Sequence, residues 1–149
     1  MIGQRVHLET WLVMSVVGLC VVLGFDNTAG WHDTAEFAAV SRLLTTSHSP
    51  GHPLYTALGV GWSTLLPMGT VAFRAACFSG FCCVMSLILL LQCLTALGIE
   101  RRRGLYWLAG GILSPPVMIQ SVRPEVYGLA LLLTTVVVLL WLKWWTTRD

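Results

Sequence analysis

Charge is what this chain has least of. Only 11% of its 149 residues are Asp, Glu, Lys or Arg, where soluble domains carry about 25%. A large soluble domain is thereby excluded, and a formal net charge of +2 leaves no basic patch fit for nucleic acid. C-x-x-C spacing is also missing. Cys20, Cys77, Cys82, Cys83 and Cys93 all fall in apolar stretches without a histidine close in sequence, so they read as small core residues. No internal repeat, low-complexity run or H-E-x-x-H motif is present. The first apolar run lacks a small-x-small cleavage site before Asp26, which makes it an uncleaved span.

What the chain does have is apolar surface. With 56% hydrophobic residues and a mean hydropathy of +0.75, it reads as an all-α integral membrane protein whose first partner is the lipid bilayer. Its length suits roughly four spans of ~20 residues. The apolar stretches predict transmembrane helices over 8–25, 71–99, 105–122 and 126–142. The second would be about 43 Å long, enough to cross with tilt. Gly110-Gly111 and Pro115-Pro116 interrupt the third, which needs neighbours to satisfy the freed backbone groups. Trp141, Lys143, Trp144 and Trp145 close the fourth as a headgroup anchor.

Another apolar piece, 53–66, is closed by Pro67 and is short for a span. If it does not cross, Arg5, Arg101, Arg102, Arg103, Lys143 and Arg148 share one side, six of the nine basic residues. The positive-inside rule then puts both termini in the cytoplasm and the first loop on the outer or luminal side. That loop is expected to form two juxtamembrane helices, 33–46 and 53–66. In the first, Phe37, Val40, Leu43 and Leu44 recur at helical spacing opposite Ser41 and Arg42.

Three of the four histidines and three of the seven carboxylates lie between the first two spans. Asp33 and Glu36 sit one helical turn apart, on one face. Two readings stay open for them. They resemble a capping box with aspartate in the serine position, or they form a general base facing a membrane-embedded substrate, since a partly dehydrated carboxylate gains proton affinity. His32, His48 and His52 could add ligands for a divalent metal, although no tight ligand spacing demands one. Arg74 and Arg123 either snorkel to lipid phosphates or hold a donor phosphate in a bidentate fork. Glu125 and Tyr127 are either a local pair with Arg123 and an interfacial tyrosine, or part of the cavity of Asp33.

Four motifs in order carry a resemblance: Asp33-Thr34-Ala35-Glu36-Phe37; His48-Ser49-Pro50-Gly51-His52-Pro53-Leu54-Tyr55; Ala72-Phe73-Arg74 with Ser79; and Gln120-Ser121-Val122-Arg123-Pro124-Glu125-Val126-Tyr127. Over about 31–131 the chain resembles the amino-terminal part of a family of multi-pass, GT-C-like glycosyltransferases. That family was formerly catalogued as a domain of unknown function and includes an animal transmembrane protein O-mannosyltransferase. The resemblance implies inverting sugar transfer from a polyprenyl-phosphate donor to an acceptor on the outer side. Asp33 would be the base or acceptor-orienting carboxylate and Glu36 its neighbour. The segment of His48, His52 and Tyr55 would shape the second juxtamembrane helix on the substrate side, and Arg74 and Arg123 would take the donor phosphate, with Glu125 and Tyr127 as candidate substrate-binding residues on the cavity of Asp33. The family usually has glycine at Ala35 and proline at Ser49. It also has many more spans, so this chain is expected to be a truncated product, a fragment, or a subunit needing a membrane partner, and inactive alone. A non-catalytic membrane subunit is the alternative. A small transporter component is a third reading, opposed by the absence of charge near the centre of any span.

Overall fold

The computed structural model describes residues 2–25, 33–49 and 51–148, with side chains from Leu8 onward. His32 lies outside the described residues. Among them the structure is entirely helical: α1 (Ile2–Leu23), α2 (Thr34–Leu43), α3 (Pro53–Leu65), α4 (Val71–Ala96), α5 (Arg101–Ile112), α6 (Pro115–Ser121) and α7 (Tyr127–Thr146). Two of these, α4 and α7, are long and apolar enough to cross a membrane, and α1 adds a shorter apolar stretch, Leu8–Leu23.

Local chemistry sets the boundaries. Pro53 occupies the first turn of α3, where its missing N–H costs nothing. Thr70 caps α4, its hydroxyl accepting from the Phe73 N–H at 3.0 Å. Gly98, at φ 81°, ends α4 in the left-handed conformation that lets the Ile99 N–H reach back to the Leu94 carbonyl. The stretch 105–122 is not one helix. Ser114 takes an extended conformation because Pro115 disfavours a helical residue before it, so α5 stops and α6 restarts on the prolines. The Ser114 hydroxyl donates to the Gly111 carbonyl at 2.6 Å, taking up one group freed at the break.

Helix α4 is the hub, packing against each of the other six. Three apolar layers follow its length. Phe78 and Cys82 meet Phe37, Val40, Tyr55 and Leu129. Cys83 and Leu87 meet Val17, Val21 and Ile112. Cys93 meets Leu139 and Leu142. Since Gly128 faces Ser79 while Leu142 is level with Cys93, α7 runs parallel to α4. Helix α1 runs opposite to both, with Phe25 against Gly80 and Thr10 near Gln92. The five cysteines are free thiols, three of them buried in these layers.

The closest helix crossing is at Gly128. A methyl there would stand 2.6 Å from the Ser79 carbonyl oxygen and 3.1 Å from the Cys83 sulfur. Small residues at such crossings let backbones approach where no hydrophobic force separates helix from lipid. The approach puts the segment before α7 within reach of Ser79. The Ser79 hydroxyl accepts from the Glu125 N–H at 3.0 Å and lies 2.9 Å from the Glu125 carbonyl, to which it donates.

In α2 the buried face differs from the one expected. Phe37 and Val40 are buried, but so are Ala38 and Ser41, while Leu43 and Leu44 are exposed. Ser41 can turn inward because its hydroxyl donates to the Ala38 carbonyl at 2.8 Å, which leaves a small surface facing Gly59 of α3.

Candidate functional site

The loop after α2 doubles back. Leu44 ends the helix in the left-handed conformation (φ 53°), and the chain returns along α2, so that α3 starts beside the start of α2 and runs in the same direction. This reversal brings His48 to the first turn of α2. Its Nδ1 lies 2.9 Å from Glu36 Oε2, and its backbone N–H donates to Glu36 Oε1. Its Nε2 lies 3.9 Å from Asp33 Oδ2. One imidazole thus stands between two carboxylates.

The capping-box reading is corrected here. Asp33 is the N-cap residue of α2 but makes no side-chain cap bond. Its backbone is itself helical (φ −76°, ψ −3°), whereas a capping side chain needs an extended residue to aim at the first amides. Glu36 does not reach back either, being held by His48. The Asp33 carboxylate, 56% exposed, is left facing outward beside His48 Nε2.

The electrostatics of the cluster are mutual. The His48 hydrogen bond, aided by its backbone N–H and its charge, lowers the Glu36 pKa. The same bond raises the His48 pKa, with the charges of Glu36 and then Asp33 adding to it. Both shifts favour the ion pair. Asp33, Glu36 and His48 offer three ligand atoms within 4.8 Å of one another, a set of hard oxygens and one imidazole nitrogen that suits a divalent ion. Binding one would require His48 to lose its proton and release Glu36, so a metal competes with the ion pair.

Beneath the cluster runs a column of rings. Phe37 contacts His48, His52 and Tyr55 with centroids 5.9, 5.5 and 5.4 Å away. Tyr55 then meets Phe78 at 5.6 Å, and Phe78 meets Trp62 at 5.8 Å. The Tyr55 hydroxyl is buried and makes no hydrogen bond of good geometry. Burial raises its pKa; the nearby Ser79 hydroxyl opposes the rise, and the Glu125 carboxylate adds to it. Glu125, tied to Ser79, is therefore close enough for its charge to act on Tyr55. An open groove of about 400 Å³ adjoins the cluster, lined by Leu44, Thr45, Thr46, Gly51, His52 and Thr56.

Of the residues singled out from the sequence, Asp33, Glu36, His48 and His52 come together, with Tyr55 and Glu125 below them. Arg74 does not join them. Its guanidinium donates to the Ser63 carbonyl at 3.2 Å and the Gly69 carbonyl at 3.4 Å, tying down the far end of α3. Arg123 is half-buried and makes no ion pair with the described residues, and Tyr127 is 59% exposed at the start of α7. Two further contributors lie within the motifs read from the sequence but gain their role only in the fold. Phe37 carries both histidines, and Ser79 fixes Glu125 from 46 positions away.

Neither a curated protein nor a solved structure matches the chain. Residues 33–149 match the family described as "Protein O-mannosyl-transferase TMEM260 N-terminal domain", a match that opens on Asp33 and takes in the whole cluster, the ring column and Glu125. The chain belongs to that family.

Proposed function

We propose that this chain is the acceptor-activating module of an inverting, GT-C-like glycosyltransferase that moves mannose from a polyprenyl-phosphate donor to a hydroxyl acceptor on the outer or luminal side. Its membership in an O-mannosyltransferase family makes it a glycosyltransferase-related module. The observation that carries the rest is the uncapped Asp33 carboxylate beside His48 Nε2. In this reading α1, α4, the α5–α6 pair and α7 span the membrane with both termini cytoplasmic, and α2 and α3 lie on the outer surface. The antiparallel course of α1 against α4 supports that topology.

In the reaction the acceptor oxygen attacks the anomeric carbon of the donor as the bond from that carbon to the phosphate oxygen breaks. The acceptor proton passes to Asp33, and the polyprenyl phosphate leaves as an anion. His48, held by Glu36, orients Asp33 and steadies its charge before the proton arrives. General-base catalysis of this kind is worth roughly 10²–10⁴-fold. Tyr55 and Glu125 form the floor under the acceptor.

The groove that reaches the cluster at His52 is open and does not enclose a substrate. That openness favours a second reading in which the chain completes its cavity with a membrane partner, or serves as a non-catalytic subunit of one. The test is mannose transfer in membranes holding the wild-type chain, Asp33→Asn or Asp33→Glu. Loss of transfer by at least about 100-fold in Asp33→Asn, with partial retention in Asp33→Glu, supports the base. Unchanged transfer in Asp33→Asn overturns it. Transfer that appears only when a membrane partner is co-expressed identifies the chain as one half of a composite enzyme.

A further inference from the structure

The far end of α4 holds a second polar assembly that the transfer reaction does not use. A cleft of about 280 Å³ opens there between α1, α4 and α5. The polar part of its lining is Arg101, Gln92 and Thr10, and the apolar part includes Met14, Ile88 and Leu91. Gln92 is 18 residues beyond Arg74 on the same helix, so the cleft is about 27 Å from the α3 end of the bundle. It shares no residue with the Asp33 cluster.

Of the three successive arginines that begin α5, only Arg101 lines the cleft, and the other two have acidic partners. Arg102 Nε bonds Glu9 Oε2 at 3.2 Å, and Arg103 is 3.9 Å from Glu100. Arg101 has no carboxylate partner among the described residues. Half-buried at the cleft mouth, it spends only its Nε, on the Thr10 hydroxyl at 3.3 Å. The guanidinium is thereby oriented while its two terminal nitrogens stay available as a fork. Such a fork matches two oxygens of a phosphate. The rest of the lining is mostly apolar and includes Trp11, 68% exposed. A charged mouth over an apolar floor is the complement of a lipid headgroup with its acyl chains attached; a free phosphate ion would leave the floor in contact with water.

We propose that this cleft binds an anionic phospholipid of the cytoplasmic leaflet, its phosphate on Arg101 and Gln92 and the upper part of an acyl chain along Met14, Ile88 and Leu91. Basic pockets between helices on the cytoplasmic side bind acidic headgroups for the same reasons of charge and shape. The bound lipid joins α1 to α4 and α5 at the end of the bundle opposite Asp33.

The experiment is lipid titration of the purified chain in detergent, read by native mass spectrometry, with phosphatidylglycerol beside phosphatidylcholine of the same chains. The wild type is expected to prefer phosphatidylglycerol by about tenfold, the worth of one charge-assisted contact. Arg101→Gln abolishes the preference. Arg42→Gln, at the other end of the molecule, keeps it. Arg101→Lys retains the charge and loses the fork, so it keeps a reduced preference and covers the case in which Arg101→Gln does not fold. Equal binding of the two lipids by wild type overturns the proposal, as does full preference in Arg101→Gln. Displacement of the lipid by millimolar inorganic phosphate also overturns it, because the site would then read phosphate alone.

Discussion

Replacing Ser79 by alanine separates the cross-helix hydrogen bonds from everything else a buried serine does in α4. Ser86 supplies the control. It is on the same helix and equally buried, but its hydroxyl bonds only the Cys82 carbonyl of its own helix at 2.7 Å. Ser79 has the like bond, to the Ala75 carbonyl at 3.3 Å, and in addition joins both the N–H and the carbonyl of Glu125, at 3.0 and 2.9 Å. Ser79→Ala removes the cross-helix partner of both backbone groups in a partly buried, apolar setting. An orphaned buried group costs about 1–3 kcal/mol. Partial access of Glu125 to solvent brings the sum for the pair to about 2 kcal/mol. Ser86→Ala removes a bond that slightly strains its own helix, and its cost is within about 0.5 kcal/mol of zero. Tryptophan fluorescence during unfolding in mixed SDS micelles gives both values. Equal losses in the two variants would refute the view that Ser79 holds the α6–α7 connection to α4.

The remaining predictions concern the cluster and the helix crossing. Because the His48 pKa is raised, its contribution to stability is complete below its ordinary value of 6.5 and is lost as pH rises through the higher folded value. Because the Glu36 pKa is lowered, its contribution is complete above 4.5 and is lost as pH falls through the lower folded value. The stability difference between wild type and Glu36→Gln is therefore largest between pH 4.5 and 6.5. A difference that is flat with pH would remove the ion pair from the account. Proton NMR should find the His48 titration moved back toward the ordinary histidine value in Glu36→Gln. Gly128→Ala forces the new methyl against backbone at 2.6 Å, and it should destabilise by about 1–3 kcal/mol. Gly110→Ala, with nothing within 4 Å, should stabilise by up to about 1 kcal/mol in the same unfolding assay. Similar behaviour of the two glycine variants would place the α4–α7 crossing elsewhere.

Much of the helical layout was legible in the sequence, because runs of apolar residues leave the backbone few ways to satisfy its own hydrogen bonds. Pro67 marks the end of α3, and Pro115-Pro116 mark the break after α5, since both act through steric rules local to the chain. The meeting of Asp33 and Glu36 on one face followed from helical spacing. What spacing leaves open is the backbone conformation at the cap. Asp33 and Glu36 fit a capping box as letters, yet a helical Asp33 and a returning His48 give both carboxylates other roles. The burial of Ser41 in place of Leu43 and Leu44 depended on Gly59, a partner on another helix. The bonds of Arg74 to the Ser63 and Gly69 carbonyls depend on how α3 meets α4, which its sequence position does not tell. The residues hardest to anticipate are those whose partners are far off in sequence, as with Ser79 and Glu125.

Helix α4 touches all six of its fellows, while a ribosome delivers the chain from one end. The elements that precede α4 are made before the surface that covers them exists. Phe37, Tyr55 and Trp62 have no Phe78 or Phe81 to rest on until α4 emerges, so the α2–α3 segment gains its shape only then. Glu125 arrives later still and is fastened to Ser79 as Gly128 lets α7 come close. A nascent chain held before α7 docks has the His48 cluster assembled over an incomplete floor. Completion of the α2–α3 face thus waits on a helix that begins at Tyr127, long after α3 ends at Leu65, and synthesis order sets its timing.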